Sequence, residues 1–150
     1  MREYIQKVRS SIAGTAAVEF GIIIPMLLIV LAGMVEVGFA VRQAMLAQDA
    51  AETGAGYAVK YGFNATTISS AVVNATSATD ITASPAPFQF CGCPTSTGVT
   101  SVSCSTTCSD GSSPGQYVTV SAAVPHASIL TYLGLPIPAT MTAHATVRLQ

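Results

Sequence analysis

From Phe20 to Val35 the chain reads FGIIIPMLLIVLAGMV, sixteen residues without a charge, and the apolar character continues to Val41, interrupted only by Glu36. Twenty-two residues at about 1.5 Å each make about 33 Å of helix, enough to cross a hydrocarbon core of about 30 Å. A cleavable secretory signal shares the basic leader, here Arg2, Lys7 and Arg9, but its apolar run covers only about 7–15 residues. The stretch therefore reads as a membrane span over residues 20–41. Three basic residues and one acid, Glu3, precede it, whereas Arg42, Asp49 and Glu52 follow. The positive-inside rule then puts residues 1–14 in the cytoplasm and the bulk of the chain outside.

What remains beyond the span is small and poorly charged. Only 9% of the 150 residues are charged, with a net charge of −1, against about a quarter in a typical soluble domain. No Lys or Arg occurs between Tyr61 and Val147, which excludes the basic face of a nucleic-acid binder. All four cysteines, Cys91, Cys93, Cys104 and Cys108, fall in the outer half. An even number of cysteines in an oxidising compartment predicts disulfides. Four thiolates would suit tetrahedral zinc, but zinc pairs more often enclose two residues, so no metal is expected. Neighbours in Cys-x-Cys seldom bridge each other. That leaves Cys91–Cys104 with Cys93–Cys108, or Cys91–Cys108 with Cys93–Cys104, each loop nominally worth about 3 kcal/mol.

Local patterns predict an α+β fold, one long N-terminal helix with a small antiparallel sheet at its outer end. Ser10-Ser11 can cap the helix, Pro25 removes one of its hydrogen bonds, and Tyr61-Gly62-Phe63-Asn64 ends it. Ala44, Ala47, Ala51, Ala55 and Ala58 recur at helical spacing, a face that suits either a second helix or the chain's own domain. Thr66–Thr76 is read as a short second helix with Ile68, Val72 and Val73 on one side. Strands are expected over Pro87–Cys91, Val99–Cys104, Gln116–Val124 and Met141–Leu149, with a turn at Asp110–Gly115. The last alternates apolar Met141, Ala143, Ala145, Val147 and Leu149 with polar residues, so one face should be buried. The apolar connection Val124–Pro138 is expected to fold over the sheet edge.

The most informative stretch is Gly14-Thr-Ala-Ala-Val-Glu19-Phe20, between the basic leader and the apolar run. Followed by GIIIPMLLIVLAGMVEVG, it resembles the N-terminus of the TadE-like family, minor pilins or pseudopilins of tight-adherence (Flp) pilus systems. The cysteine-rich turn region and the closing Met141–Arg148 strand are similar to that family too. The resemblance implies a type IV pilin-like fold with a cytoplasmic leader at 1–14, a long helix at 15–61 and a disulfide-stabilised outer domain at 62–150. It also implies cleavage by a prepilin peptidase between Gly14 and Thr15. The new amino terminus would carry a positive charge into an apolar helix bundle, where an unpaired charge costs several kcal/mol. Glu19, one turn inward and followed by Phe20, would supply the carboxylate that docks the terminus of an adjoining subunit. Implied partners are the major Flp-type pilin, other minor pilins, the peptidase and the inner-membrane assembly platform. The implied location is the bacterial inner membrane with the outer domain periplasmic, then the pilus and cell surface, with a role in pilus assembly or initiation and adhesion.

Further polar groups are scarce. Glu36 lies about 25 Å beyond Glu19 along a straight helix and is expected to meet Arg42 or a group on another subunit. Arg42 is six residues on and off its face. His126 and His144 lie in no nucleophile or metal motif, and surface or packing roles are expected for both. No catalytic residue and no cofactor is expected, and the chain is not read as an enzyme. The competing reading is an uncleaved, single-pass membrane-anchored periplasmic protein that binds a ligand or supports an envelope complex.

Overall fold

Long apolar and small residues without a break favour one continuous helix, and α1 runs from Arg2 to Tyr61, 60 residues, about 90 Å at 1.5 Å per residue. The computed structural model describes residues 2–128 and 138–149, and side chains from residue 17 onward. The helix begins well before Ser10-Ser11, the expected start. The leader holds neither Gly nor Pro ahead of these serines, and Ser inside a helix costs only a fraction of a kcal/mol, so nothing stops it there. It also passes through Pro25. Gly62 ends it, with φ of 82° and its N–H donating to the Ala58 carbonyl at 2.9 Å, the left-handed glycine termination.

Two residues later the chain re-enters a helix. Asn64 is the N-cap of α2, Ala65–Val73, its side-chain oxygen accepting from the backbone N–H groups of Thr66 and Thr67 at 3.1 and 3.2 Å. Ile68 and Val72, four apart, are fully buried, whereas Val73 stays 43% exposed. The next residue after a buried position is turned about 100° away, which removes Val73 from the expected face.

The sheet is antiparallel with spatial order β2-β1-β3-β4. Its strands are β1 (Phe88–Thr95), β2 (Gly98–Ser101), β3 (Gly115–Pro125) and β4 (Thr140–Arg148). β1 is longer than expected and β2 shorter, because the two form a tight hairpin over Ser96-Thr97 with Thr95 opposite Gly98. Cys104 consequently lies outside any strand. β3 is the central strand, paired with β1 through Thr119 and with β4 along nearly its whole length. Thr82 adds a single bridge to Ala123.

The core forms between one face of the sheet and the outer part of α1. Ala47, Ala50, Ala51, Ala55 and Ala58 are buried against Val118, Val120, Ala122 and Val124 of β3, with α2 beside them. The small-residue face thus packs on the chain's own domain, and Ala44 points out of it. A Cβ at Gly54 would lie 2.5 Å from a Val72 methyl and 2.8 Å from a Val120 methyl, so this glycine is where helix, helix and sheet meet. β4 alternates as expected: Met141, Ala143, Ala145, Val147 and Leu149 are half-buried, and Thr142, His144, Thr146 and Arg148 exposed. The expected fold of the connection over the sheet edge lies largely in residues 129–137, outside the described residues.

Disulfides join Cys91 to Cys104 and Cys93 to Cys108, one of the two pairings left open by the sequence. They tie the loop after β2 to β1. The adjoining turn closes through Asp110, whose carboxylate accepts from the Ser112 hydroxyl at 2.7 Å and its N–H at 2.9 Å.

Candidate functional site

Two regions carry the candidate residues, the inner end of α1 and the level at which the outer domain begins. Gly14 and Thr15 lie within α1, without interruption of the helix. Glu19 and Phe20 are both exposed on the same helix, Phe20 to 66%. They stand among Val18, Ile22 and Ile23, all more than half exposed, so a carboxylate projects from an otherwise apolar surface.

Glu36 behaves differently. It is 3% exposed, and the imidazole Nε2 of His126 lies 3.0 Å from its Oε1, the ring N–H donating to the carboxylate. The other ring nitrogen of His126 meets the side-chain amide of Gln43. The amide can present either its oxygen or its NH2 group, so this contact is satisfied in either state of the ring. Within the chain Glu36 thus meets His126, a partner the sequence did not suggest, and Arg42 is exposed. His126 in turn is 5% exposed and follows directly on β3.

Helical geometry explains the arrangement. Glu36, Ala40, Gln43 and Ala47 are spaced by four, three and four, so they continue the buried alanine face of α1 toward its inner end. Ala40 between the polar pair leaves room for an imidazole to bridge two turns. A buried carboxylate without a partner is strongly unfavourable, and His126 supplies one for Glu36. The His126 N–H donates to the Ala139 carbonyl at 2.8 Å, which fixes the ring's backbone as well. The heptad-like run of positions 36, 40, 43 and 47 was the available sequence signal for Gln43. Nothing local identified His126.

Elsewhere the surface offers little chemistry. An open groove of about 600 Å³ lies between α2 and the Thr82–Ala86 segment. Its Ser69 and Ser70 hydroxyls donate to the Ala65 and Thr66 carbonyls at 2.7 and 3.0 Å, and no charged side chain lines it. Among the described residues there is no group of three or more His, Cys, Asp or Glu that could hold a metal. The four cysteines are consumed in disulfides. His144 is exposed on β4, away from His126.

The model of the TadE-like protein family matches residues 14–56, that is, 43 of 150 residues. No curated protein and no solved structure matches the chain. The matched segment opens at Gly14, contains Glu19, Phe20, Glu36, Arg42 and Gln43, and ends within the buried alanine face. Over this helical segment the chain is similar to TadE-like proteins.

Proposed function

We propose that the protein is a minor pilin, or pseudopilin, of a tight-adherence (Flp) pilus. It is made as an inner-membrane precursor with its outer domain in the periplasm, is cut between Gly14 and Thr15 by a prepilin peptidase, and takes part in pilus assembly or initiation and in surface attachment. Its role is structural and not enzymatic. The observation that carries this reading is the TadE-like match beginning at Gly14, on a helix whose inner part exposes an apolar surface bearing one carboxylate, Glu19. Removal of the basic leader turns a membrane anchor into an insertable helix with a charged end. The Glu19 carboxylate is the group that can neutralise such an end in an apolar bundle. The outer domain supports the minor role, and the partners are the short major pilin, other minor pilins and the assembly platform.

The deciding measurement is the N-terminal sequence and intact mass of the protein recovered from membranes of its host. A start at Thr15 is expected, and Gly14→Lys should leave the heavier, leader-bearing form. Normal processing of that variant overturns cleavage at this site, and a start at Met1 in the unaltered protein overturns processing altogether.

A further inference from the structure

A strand at the edge of a sheet carries a row of backbone groups with nothing beside them, and folded proteins blunt such edges with short strands, lysine, proline, bulges or a covering element. The two edges of this sheet differ. β2 is only four residues long, and the loop that follows it is tied to β1 by both disulfides. β4 is nine residues long, pairs with β3 in unbroken register from Thr140 to Arg148, and contains neither lysine nor proline.

Two hydrogen bonds fix which backbone groups of β4 are committed. The Ala139 carbonyl accepts from the His126 N–H and the Leu149 N–H donates to the Gln116 carbonyl, both at 2.8 Å, so the odd-numbered residues hold the hydrogen-bonded positions opposite β3. The N–H and C=O groups of Thr140, Thr142, His144, Thr146 and Arg148 therefore point away from β3, and among the described residues none of these groups has a hydrogen-bond partner. The five side chains are exposed on one face, while Met141, Ala143, Ala145 and Val147 are only half-buried on the other, an apolar strip that one more strand would cover. Arg148 marks the end of the edge. Its Nε lies 2.7 Å from where a Cβ on Gly115 would stand, with the Tyr117 ring 3.1 Å from the same point. No other Lys or Arg follows Tyr61, and among the described residues no carboxylate pairs with this guanidinium.

We propose that the free edge of β4 accepts an extended segment of a partner protein, which adds to the four-stranded sheet antiparallel to β4 and places a carboxylate opposite Arg148. In strand addition of this kind the backbone groups supply affinity and alternate side chains supply specificity. Small apolar side chains of the segment lie beside Met141, Ala143, Ala145 and Val147, and the charge pair sets the register. A second copy of this chain does not meet these terms. Pairing β4 antiparallel with itself puts Thr140, not an acid, opposite Arg148. It also relates the copies by a two-fold axis normal to the sheet, which reverses α1, packed along that sheet. Two copies anchored in one membrane keep α1 in a single direction. That last exclusion rests on the reading of α1 as the membrane span, whereas the open edge depends neither on it nor on cleavage at Gly14.

The probe is a fluorescent peptide matched to the nine residues of β4, with aspartate first and then valine and threonine in alternation. Its binding to the full chain in detergent micelles is followed by anisotropy, and amide hydrogen exchange is read by NMR. In the free protein the amides of Thr142, His144 and Thr146 should exchange fast, and the peptide should slow them at least about tenfold. Methylating the peptide nitrogens opposite these three residues should weaken binding at least about tenfold, because each loses a backbone hydrogen bond, whereas methylating the intervening nitrogens should be tolerated. Arg148→Ala should weaken binding about two- to fivefold and leave a peptide with asparagine in first place unaffected. Equal binding of the two methylated peptides overturns strand addition. Slow exchange at Thr142, His144 and Thr146 in the dilute free protein shows the edge already covered and overturns the proposal as well. Protection that grows with protein concentration in the absence of peptide assigns the edge to a second copy and overturns the partner named here, without touching the pilin reading.

Discussion

A carboxylate that cannot reach water takes its partner from wherever the fold supplies one, and for Glu36 that partner comes from 90 positions away. Removing one member of a buried pair of this kind costs about 3–5 kcal/mol. His126→Ala should therefore destabilise the outer domain by about that amount in denaturant unfolding in detergent micelles. Glu36→Gln in the same background should recover part of the loss, because a neutral amide is cheaper to bury than a carboxylate. Asp110 is the opposite case, a fully exposed carboxylate. The Ser112 hydroxyl, followed by the Ser112 backbone N–H, holds its pKa below the ordinary value. Because its folded-state pKa is depressed, the stability it lends the turn is present above the ordinary carboxylate pKa and is lost as pH falls through the folded one. Carbon-13 NMR titration should place the Asp110 midpoint below 3.8, the ordinary value, and Ser112→Ala should raise it.

At the scale of elements, the outer part of α1 works because its buried face is almost flat. Gly54→Ala would drive a methyl into Val72 and Val120, and overpacking of this kind costs about 1–3 kcal/mol, outweighing about 1 kcal/mol gained in helix propensity. Gly56, two residues on, has open space around its Cα, so Gly56→Ala should stabilise by about 0.5–1 kcal/mol. Thermal unfolding of the pair should shift in opposite directions. Such contrasts also show which elements the sequence made legible. α1 and β4 follow from their periods, since the 3.6 and 2.0 repeats survive whatever packs on them. The β1–β2 hairpin was misjudged because Ser96-Thr97 lacks the Asn-Gly type of signal that marks a two-residue turn. The clasp of His126 on Glu36 and Gln43 was hidden for a different reason: a contact between residues this far apart in sequence leaves no local pattern, and a histidine between Pro125 and Ala127 reads as loop.

Taken as a molecule, the protein separates two tasks along one helix. The inner part of α1 presents apolar side chains to its surroundings, whereas the outer part is spent on the domain. Glu19 belongs to the first part and makes no contribution to the core. Glu19→Ala should therefore leave processing and domain stability unchanged while lowering recovery in sheared pilus fractions several-fold. Unchanged recovery would show that docking does not use this carboxylate. The two disulfides keep the turn region attached to β1, at the end of the sheet away from the clasp.

The position of β4 imposes an order of events. Ala143, Ala145, Val147 and Leu149 lie against the same core as Ala47 and Ala51, about a hundred residues earlier in the chain. The alanine face of α1 is thus synthesised long before the strand that helps cover it, and closing so large a loop is slow compared with helix formation. During that interval the half-built domain is an open chain with a sticky helix. Burial of this face is therefore complete only once β4 has been made and has paired with β3.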